Sequence, residues 1–212
     1  MGNCLSSPKR KLNVILLLGL PCSGKSFVAM RILQVFSLFR YVSRDELRNN
    51  NQGISIPIET YLDAVWEELK NSSNEEDQVV LLDFNLKGSD VSKDELMSVL
   101  SALSEHYEVS VSIIETQSGD LGDSVKRAVN RSQQILSGEM VINKFATSLH
   151  SIKPEQVSNI IENWEVMTEE TLNEVFRKFK LLFRFHTLPP PDGSDWSRRN
   201  KAVKELLEQF QH

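Results

Sequence analysis

Eight consecutive residues carry the clearest chemistry in the chain. Gly19-Leu20-Pro21-Cys22-Ser23-Gly24-Lys25-Ser26 satisfies the phosphate-loop pattern GxxxxGK[ST] in full. A polyphosphate must be wrapped by backbone N–H groups, so such a loop needs glycines that allow close approach and unusual dihedrals. A helix beginning near Lys25 would aim its N-terminus at the anion. Lys25 is then placed to neutralise the β- and γ-phosphates, and the Ser26 hydroxyl to ligate Mg²⁺. Two further acids, Asp45 and Asp83, stand at or just past the ends of strand-like segments. Asp83 would hold Mg²⁺ through water, since that ion sheds its hydration reluctantly.

These residues need a frame, and the hydrophobic pattern describes one. Val14 to Leu18 is an apolar strand leading into the loop, and Val28, Ile32, Val35 and Phe36 give the following segment a helical face. Tyr41-Val42-Ser43 reads as a short second strand running into Arg44-Asp45-Glu46-Leu47-Arg48, with Asn49 to Ser55 a polar loop. Asp45 can be read as a chemical group or as the cap of the helix that starts there. Pro57 suits the first turn of a helix striped by Ile58, Tyr61, Leu62, Val65, Trp66 and Leu69, and Asn71 to Gln78 reads as a solvated loop. Val79 to Asp83 is a continuous apolar run ending in an acid, as a buried parallel strand would be. Ser92 and Glu95 have capping-box spacing ahead of a helix faced by Leu96, Val99, Leu100 and Leu103, and Tyr107 to Glu115 is the next strand.

The remainder reads as mostly helical: Leu121 to Leu136, Pro154 to Met167, and a segment capped by Thr168 and lined by Leu172, Val175, Phe176, Phe179, Leu182 and Phe183. Phe183 to His186 can alternatively be a final strand. Pro189 to Gly193 is a rigid turn before a last helix buried along Val203, Leu206, Leu207 and Phe210. Strands alternating with helices predict an α/β fold of three layers with a mostly parallel sheet, whose ligands lie beyond the carboxyl ends of the strands. With no repeat and no linker, residues 12–212 are expected to form one domain behind a flexible segment, residues 1–11.

Composition narrows the classes. The chain has 212 residues, 40% of them hydrophobic, and 24 basic against 29 acidic residues give a net charge of −5, an ordinary globular balance. That charge disfavours bulk non-specific nucleic-acid binding but leaves room for a local basic groove. Two cysteines exclude a disulfide framework, no Cys/His spacing fits zinc, and no histidine reads as a ligand; the expected compartment is cytoplasmic. Met1-Gly2-Asn3-Cys4-Leu5-Ser6 fits the N-myristoylation pattern, with Gly2 the acyl site, Cys4 a palmitoylation candidate and Lys9-Arg10-Lys11 a basic cluster. One myristoyl chain binds membranes only marginally, and these supply the second signal that stable anchoring needs.

Taken together, Gly-x-Pro-x-Ser-Gly-Lys-Ser, then Arg44-Asp45-x-x-Arg48 after a short strand, then Asp83-x-Asn85-Leu86 after an apolar strand, resembles the polynucleotide-kinase family over roughly Leu12 to Gln134. The resemblance implies a P-loop NTPase fold with a helical lid and C-terminal helices, using ATP and Mg²⁺. It implies that Asp45 is the general base taking the proton of an attacking hydroxyl, that Arg48 binds a phosphate of the acceptor, and that Asn85 lies at the acceptor side. It also implies that Arg127 and Arg131, four apart, are lid arginines acting with Lys25 on the γ-phosphoryl, although Ala128 stands where asparagine is common. The implied acceptor is a hydroxyl, such as the 5′ end of a nucleic acid or a related RNA or small molecule. A phosphatase motif Asp-x-Asp-Gly is missing from the sequence.

Two rival readings differ in class. A small lipidated GTPase would need Asn-Lys-x-Asp, and Asn143-Lys144-Phe145-Ala146 lacks the acid; Asp83-Phe84-Asn85-Leu86 likewise lacks the glycine of the switch motif Asp-x-x-Gly. ATP is therefore expected over GTP. The other rival is a membrane-tethered nucleotide-binding module without turnover, suggested by the lipid signal itself.

Overall fold

The computed structural model describes residues 9–36, 39–51, 56–70, 78–83, 86–136, 154–192 and 195–210, without the side chains of 49, 50, 131, 132, 134–136, 154, 155 and 158. Five strands are present among them: β1 (Arg10–Leu18), β2 (Arg40–Ser43), β3 (Gln78–Asp83), β4 (Tyr107–Thr116) and β5 (Leu182–Leu188). Eight helices connect and follow them: α1 (Lys25–Val35), α2 (Arg44–Asn50), α3 (Ile58–Lys70), α4 (Asp90–His106), α5 (Leu121–Leu136), α6 (Pro154–Glu162), α7 (Glu169–Phe179) and α8 (Ser197–Gln209).

The strands form one sheet in the order β2-β3-β1-β4-β5, and every pairing is parallel. β1 is central because both of its faces are apolar. Leu12, Val14, Leu16 and Leu18 pack with α3, α4 and α7 on one side, while Ile15 and Leu17 pack with α1 and α8 on the other; all six are buried. Each such side chain contributes about 1.5–3 kcal/mol of burial. A third, small cluster joins Ala128 of α5 to Val157 and Ile161 of α6, with Cys22 of the loop against it.

The architecture is the expected three-layer α/β fold with a parallel sheet and C-terminal helices, and several boundaries differ from the sequence reading for identifiable reasons. β1 starts at Arg10 because its first residues pair with β4, Arg10 facing Tyr107. Gln78 is not loop but the buried first residue of β3. The capping box assigned to Ser92 and Glu95 is wrong: α4 starts earlier, Ser89 accepts from Ser92 N–H, and Glu95 is engaged elsewhere. Helix α6 ends at Glu162 instead of Met167, because Val166 bridges Lys87 and Met167 N–H bonds the Leu86 carbonyl. Thr168 caps α7 as expected, but that helix stops at Lys180 in the left-handed conformation, so Leu182 and Phe183 belong to β5.

Candidate active site

The phosphate loop follows β1 directly, and its shape rests on two glycines. Gly19 has φ +141°, and a Cβ there would lie 2.5 Å from Thr116 Oγ1. Gly24 has φ +98°, and a Cβ there would lie 2.9 Å from the Trp196 ring. Between them Ser23 is buried, its Oγ 2.6 Å from Thr116 Oγ1. Thr116 spends its own proton on the Leu18 carbonyl at 3.1 Å, so Ser23 is the donor in that pair. The loop is thereby stitched to the ends of β1 and β4. Gly24 precedes the first residue of α1, leaving the helix start open toward whatever the loop holds.

Lys25 folds back onto the loop, donating from Nζ to the Gly19 and Leu20 carbonyls at 2.9 Å each. Burial pushes its ammonium below the usual lysine range, and the neighbouring carboxylates of Asp83 and Asp45 oppose that shift. Asp83, at the end of β3, is pushed upward by burial; Lys25 pulls the other way, and Asp45 adds to the rise. Tyr41 donates its hydroxyl to Asp83 Oδ2 at 3.1 Å. One lysine and two carboxylates, Lys25 at the start of α1, Asp45 in the first turn of α2 and Asp83 at the end of β3, therefore share one electrostatic neighbourhood. The strand order makes this possible, since β2 and β3 lie next to one another and β3 next to β1.

Asp45 does not serve as the cap of α2. Ser43 takes that role, its Oγ accepting from the Glu46 backbone N–H at 3.3 Å. Asp45 sits in the first turn of α2, and Arg48 lies three residues on and half-buried. The base of this helix is fastened by Arg44, which donates through both Nη1 and Nη2 to Glu95 at 2.6 Å and from Nη2 to the Ile56 carbonyl at 3.1 Å. Both carboxylate oxygens are used, the geometry that gives arginine–carboxylate pairs their directionality.

Arg127 reaches the loop from α5. Its Nε donates to the Cys22 carbonyl at 3.4 Å, and its Nη2 to the Ser118 carbonyl and Ser124 Oγ at 3.0 Å each. Ala128, the departure from the family pattern, is fully buried against α6, where a polar side chain would lose its hydration. Arg131 lies on α5, but its side chain is outside the described residues, as are Asn85, Gly2 and Cys4 altogether. Cys22 holds a positive φ of 59° within the loop and packs against the α5–α6 cluster. Leu20, Pro21 and Ser26 keep their places in the loop and the first turn of α1.

Two residues that the sequence reading missed come from α8 and the residue just before it. Trp196 packs against Phe27 and beneath Gly24. Arg199 has no solvent exposure; its Nη1 donates to the Ser23 carbonyl at 2.7 Å, its Nε to the Pro189 carbonyl and its Nη2 to the Gln117 carbonyl. A signal existed: Arg199 precedes Val203, Leu206 and Phe210 at helical spacing, which puts an arginine on the buried stripe of the helix. Likewise Ser43-x-x-Glu46 has the spacing of a capping box.

A cavity of about 300 Å³ adjoins the loop, lined by Gly19, Leu20, the Glu115–Gly119 segment, Val166 and Pro190. A larger one of about 680 Å³, among Trp66, Lys70, His106 and Tyr107, lies at the opposite end of the sheet, where β4 begins. Among the described residues no group of three or more His, Cys, Asp or Glu side chains could hold a metal, and no helix is long and apolar enough to cross a membrane. Of the two residues that the sequence assigns to Mg²⁺, Asp83 is buried at the end of β3 and Ser26 stands in the first turn of α1.

No protein-family model matches the sequence, and no curated protein matches it. Solved structures do match. A fungal RNA kinase aligns over 95% of this chain and 86% of its own, with a TM-score of 0.56 and 11% identity. The protein APE1195 aligns over 96% of both chains, with a TM-score of 0.50 and 14% identity. The likeness is one of fold. This chain shares the α/β fold of these structures, in agreement with its parallel sheet.

Proposed function

We propose that this chain transfers the terminal phosphoryl group of ATP to a hydroxyl acceptor, with the 5′-hydroxyl end of a nucleic acid as the acceptor class. What supports the reading is the phosphate loop beyond the end of β1, with Asp83 ending the adjacent β3 and Asp45 just past β2, near enough to Lys25 for their charges to act on it. Phosphoryl transfer asks a protein for positioning and charge neutralisation far more than for covalent chemistry. Residues Gly19–Ser26 would hold the phosphates, Lys25 leaving the Gly19 and Leu20 carbonyls to do so. Ser26 and Asp83 would hold Mg²⁺, which supplies neutralisation of the phosphate charge. The cavity bounded by Gly119 and Pro190 would receive the nucleoside.

Asp45 would accept the proton of the attacking hydroxyl, as a positioned carboxylate does in general-base catalysis. Arg48, on the same short helix, would meet a phosphate of the acceptor. Arg127 already grips the loop through the Cys22 carbonyl, and Arg131 follows it by one helical turn; both would stabilise charge on the transferring group. RNA is the first acceptor to test, because the fold is shared with a protein described as an RNA kinase. Acylation of Gly2 and Cys4, next to Lys9-Arg10-Lys11, would hold the enzyme on the cytoplasmic face of a membrane.

The test uses γ-³²P-labelled ATP with Mg²⁺ and 5′-hydroxyl RNA and DNA oligonucleotides. Label should appear on the 5′ end and be lost when GTP replaces ATP. ATP binding with no transfer to these or to a panel of small alcohols would favour the membrane-tethered module. Intact mass of protein made in a eukaryotic host should show the acyl additions.

A further inference from the structure

Arg199 presents an energetic anomaly. Its guanidinium is removed from solvent, yet among the described residues no carboxylate pairs with it; its partners are the carbonyls of Ser23, Pro189 and Gln117. An arginine buried without an anion carries a large desolvation penalty unless something compensates its charge. Burial and the nearby Arg127 lower its pKa to about 10, so it remains a cation at neutral pH. Two guanidinium groups therefore converge on consecutive loop carbonyls, Arg127 on Cys22 and Arg199 on Ser23, from opposite parts of the chain.

The position has a geometric consequence. A trans peptide holds its C=O and N–H antiparallel. Fixing the Ser23 carbonyl on Arg199 turns the Gly24 N–H to the other side of the loop. Trp196 braces the same peptide from below, since a Cβ on Gly24 would strike its ring. The loop's conformation thus depends on a helix that begins 171 residues later in the chain, at Ser197 against Ser26.

We propose that Arg199 is a positioning residue for the phosphate loop, fixing the Ser23 carbonyl so that the Gly24 N–H faces the polyphosphate, whose charge in turn balances the buried guanidinium. The inference rests on the phosphate-loop reading above and extends it to α8. A residue that only stabilised the fold would affect melting without changing the affinity of the folded protein for phosphate.

The experiment compares the unaltered chain with Arg199→Met and Arg199→Lys, using calorimetry with Mg·ATP and with inorganic tripolyphosphate at a temperature well below melting. Arg199→Met should weaken both ligands by about tenfold or more, which is about 1.4 kcal/mol. Arg199→Lys should recover part of the loss, because an ammonium keeps the charge but not the planar fork. In the unaltered protein the Arg199 Nε–H resonance should shift and exchange more slowly with solvent when tripolyphosphate is added; this measurement decides the matter if Arg199→Met does not fold. Equal affinity in a folded Arg199→Met protein, or an Nε–H signal indifferent to tripolyphosphate, overturns the proposal and leaves the kinase reading standing. Failure of the unaltered chain to bind either ligand overturns both.

Discussion

Replacing Asp45 by Asn should separate binding from transfer, because other residues hold the start of α2 in place. Ser43 caps α2 and the Arg44–Glu95 pair fastens its base, so the helix keeps its place when residue 45 loses its charge. Electrostatic changes then oppose each other: attraction to Lys25 and to Arg44 is lost, and repulsion of Asp83 is relieved. Stability should therefore change by less than about 1 kcal/mol, the range of substitutions that leave packing intact. Affinity for Mg·ATP should change by less than about tenfold if, as proposed, the loop holds the phosphates. Transfer is different. A general base contributes about 10²–10⁴ in rate, or about 3–6 kcal/mol in the barrier. Single-turnover transfer from saturating Mg·ATP to a 5′-hydroxyl oligonucleotide should fall by that factor in Asp45→Asn, with calorimetric ATP binding retained. A rate within threefold of the unaltered protein would refute the assignment of Asp45 as base. A loss of ATP affinity equal to the loss of rate would refute it too, by making the carboxylate part of the nucleotide grip.

Two further outcomes follow from the same framework. The Arg44–Glu95 side chains are 19% and 20% exposed, between a surface pair and a buried one. A double-mutant cycle with Arg44→Met and Glu95→Gln in urea should give a coupling of about 1–2 kcal/mol after allowance for solvent screening, and each single variant should slow transfer because Asp45 follows Arg44 in the chain; additive effects would show that the pair does not hold the helix. His186 is pushed below the usual histidine range by burial, then by Arg184. The unfolded chain thus binds more protons than the native one just below pH 6.5, and the stability contributed by neutral His186 is lost as pH falls from there through its native value. His186→Phe should flatten the stability-versus-pH curve in that window, and a curve of unchanged slope would contradict the assignment.

The phosphate loop was legible in the sequence because it is contiguous. Gly19 and Gly24 supply conformations that only their own backbone must adopt, and the apolar run before them and the helical stripe after them are local patterns. The alternation of strands and helices gave the layer architecture on the same grounds. Boundaries failed where a distant partner decided them. Glu95 has the spacing of a helix cap, yet Arg44, on a segment 51 residues away, claims both of its oxygens. Trp164 to Met167 continues a helical pattern, yet the backbone of Leu86 and Lys87 draws that segment out of the helix.

What the chain order determined by itself is a phosphate-loop motif, since its eight residues are contiguous, whereas Thr116, Arg127 and Arg199 reach that loop only in the folded chain. Which groups stand near that loop depended on the folded sheet. The order β2-β3-β1 brings the carboxylates of residues 45 and 83 to the lysine at 25, and α8 brings a guanidinium 176 residues along the chain from the carbonyl it holds. Side-chain spacing along a sequence encodes the faces of individual helices and strands. The adjacency of strand ends is set only when their apolar faces are buried together, and that burial placed the charges at one point.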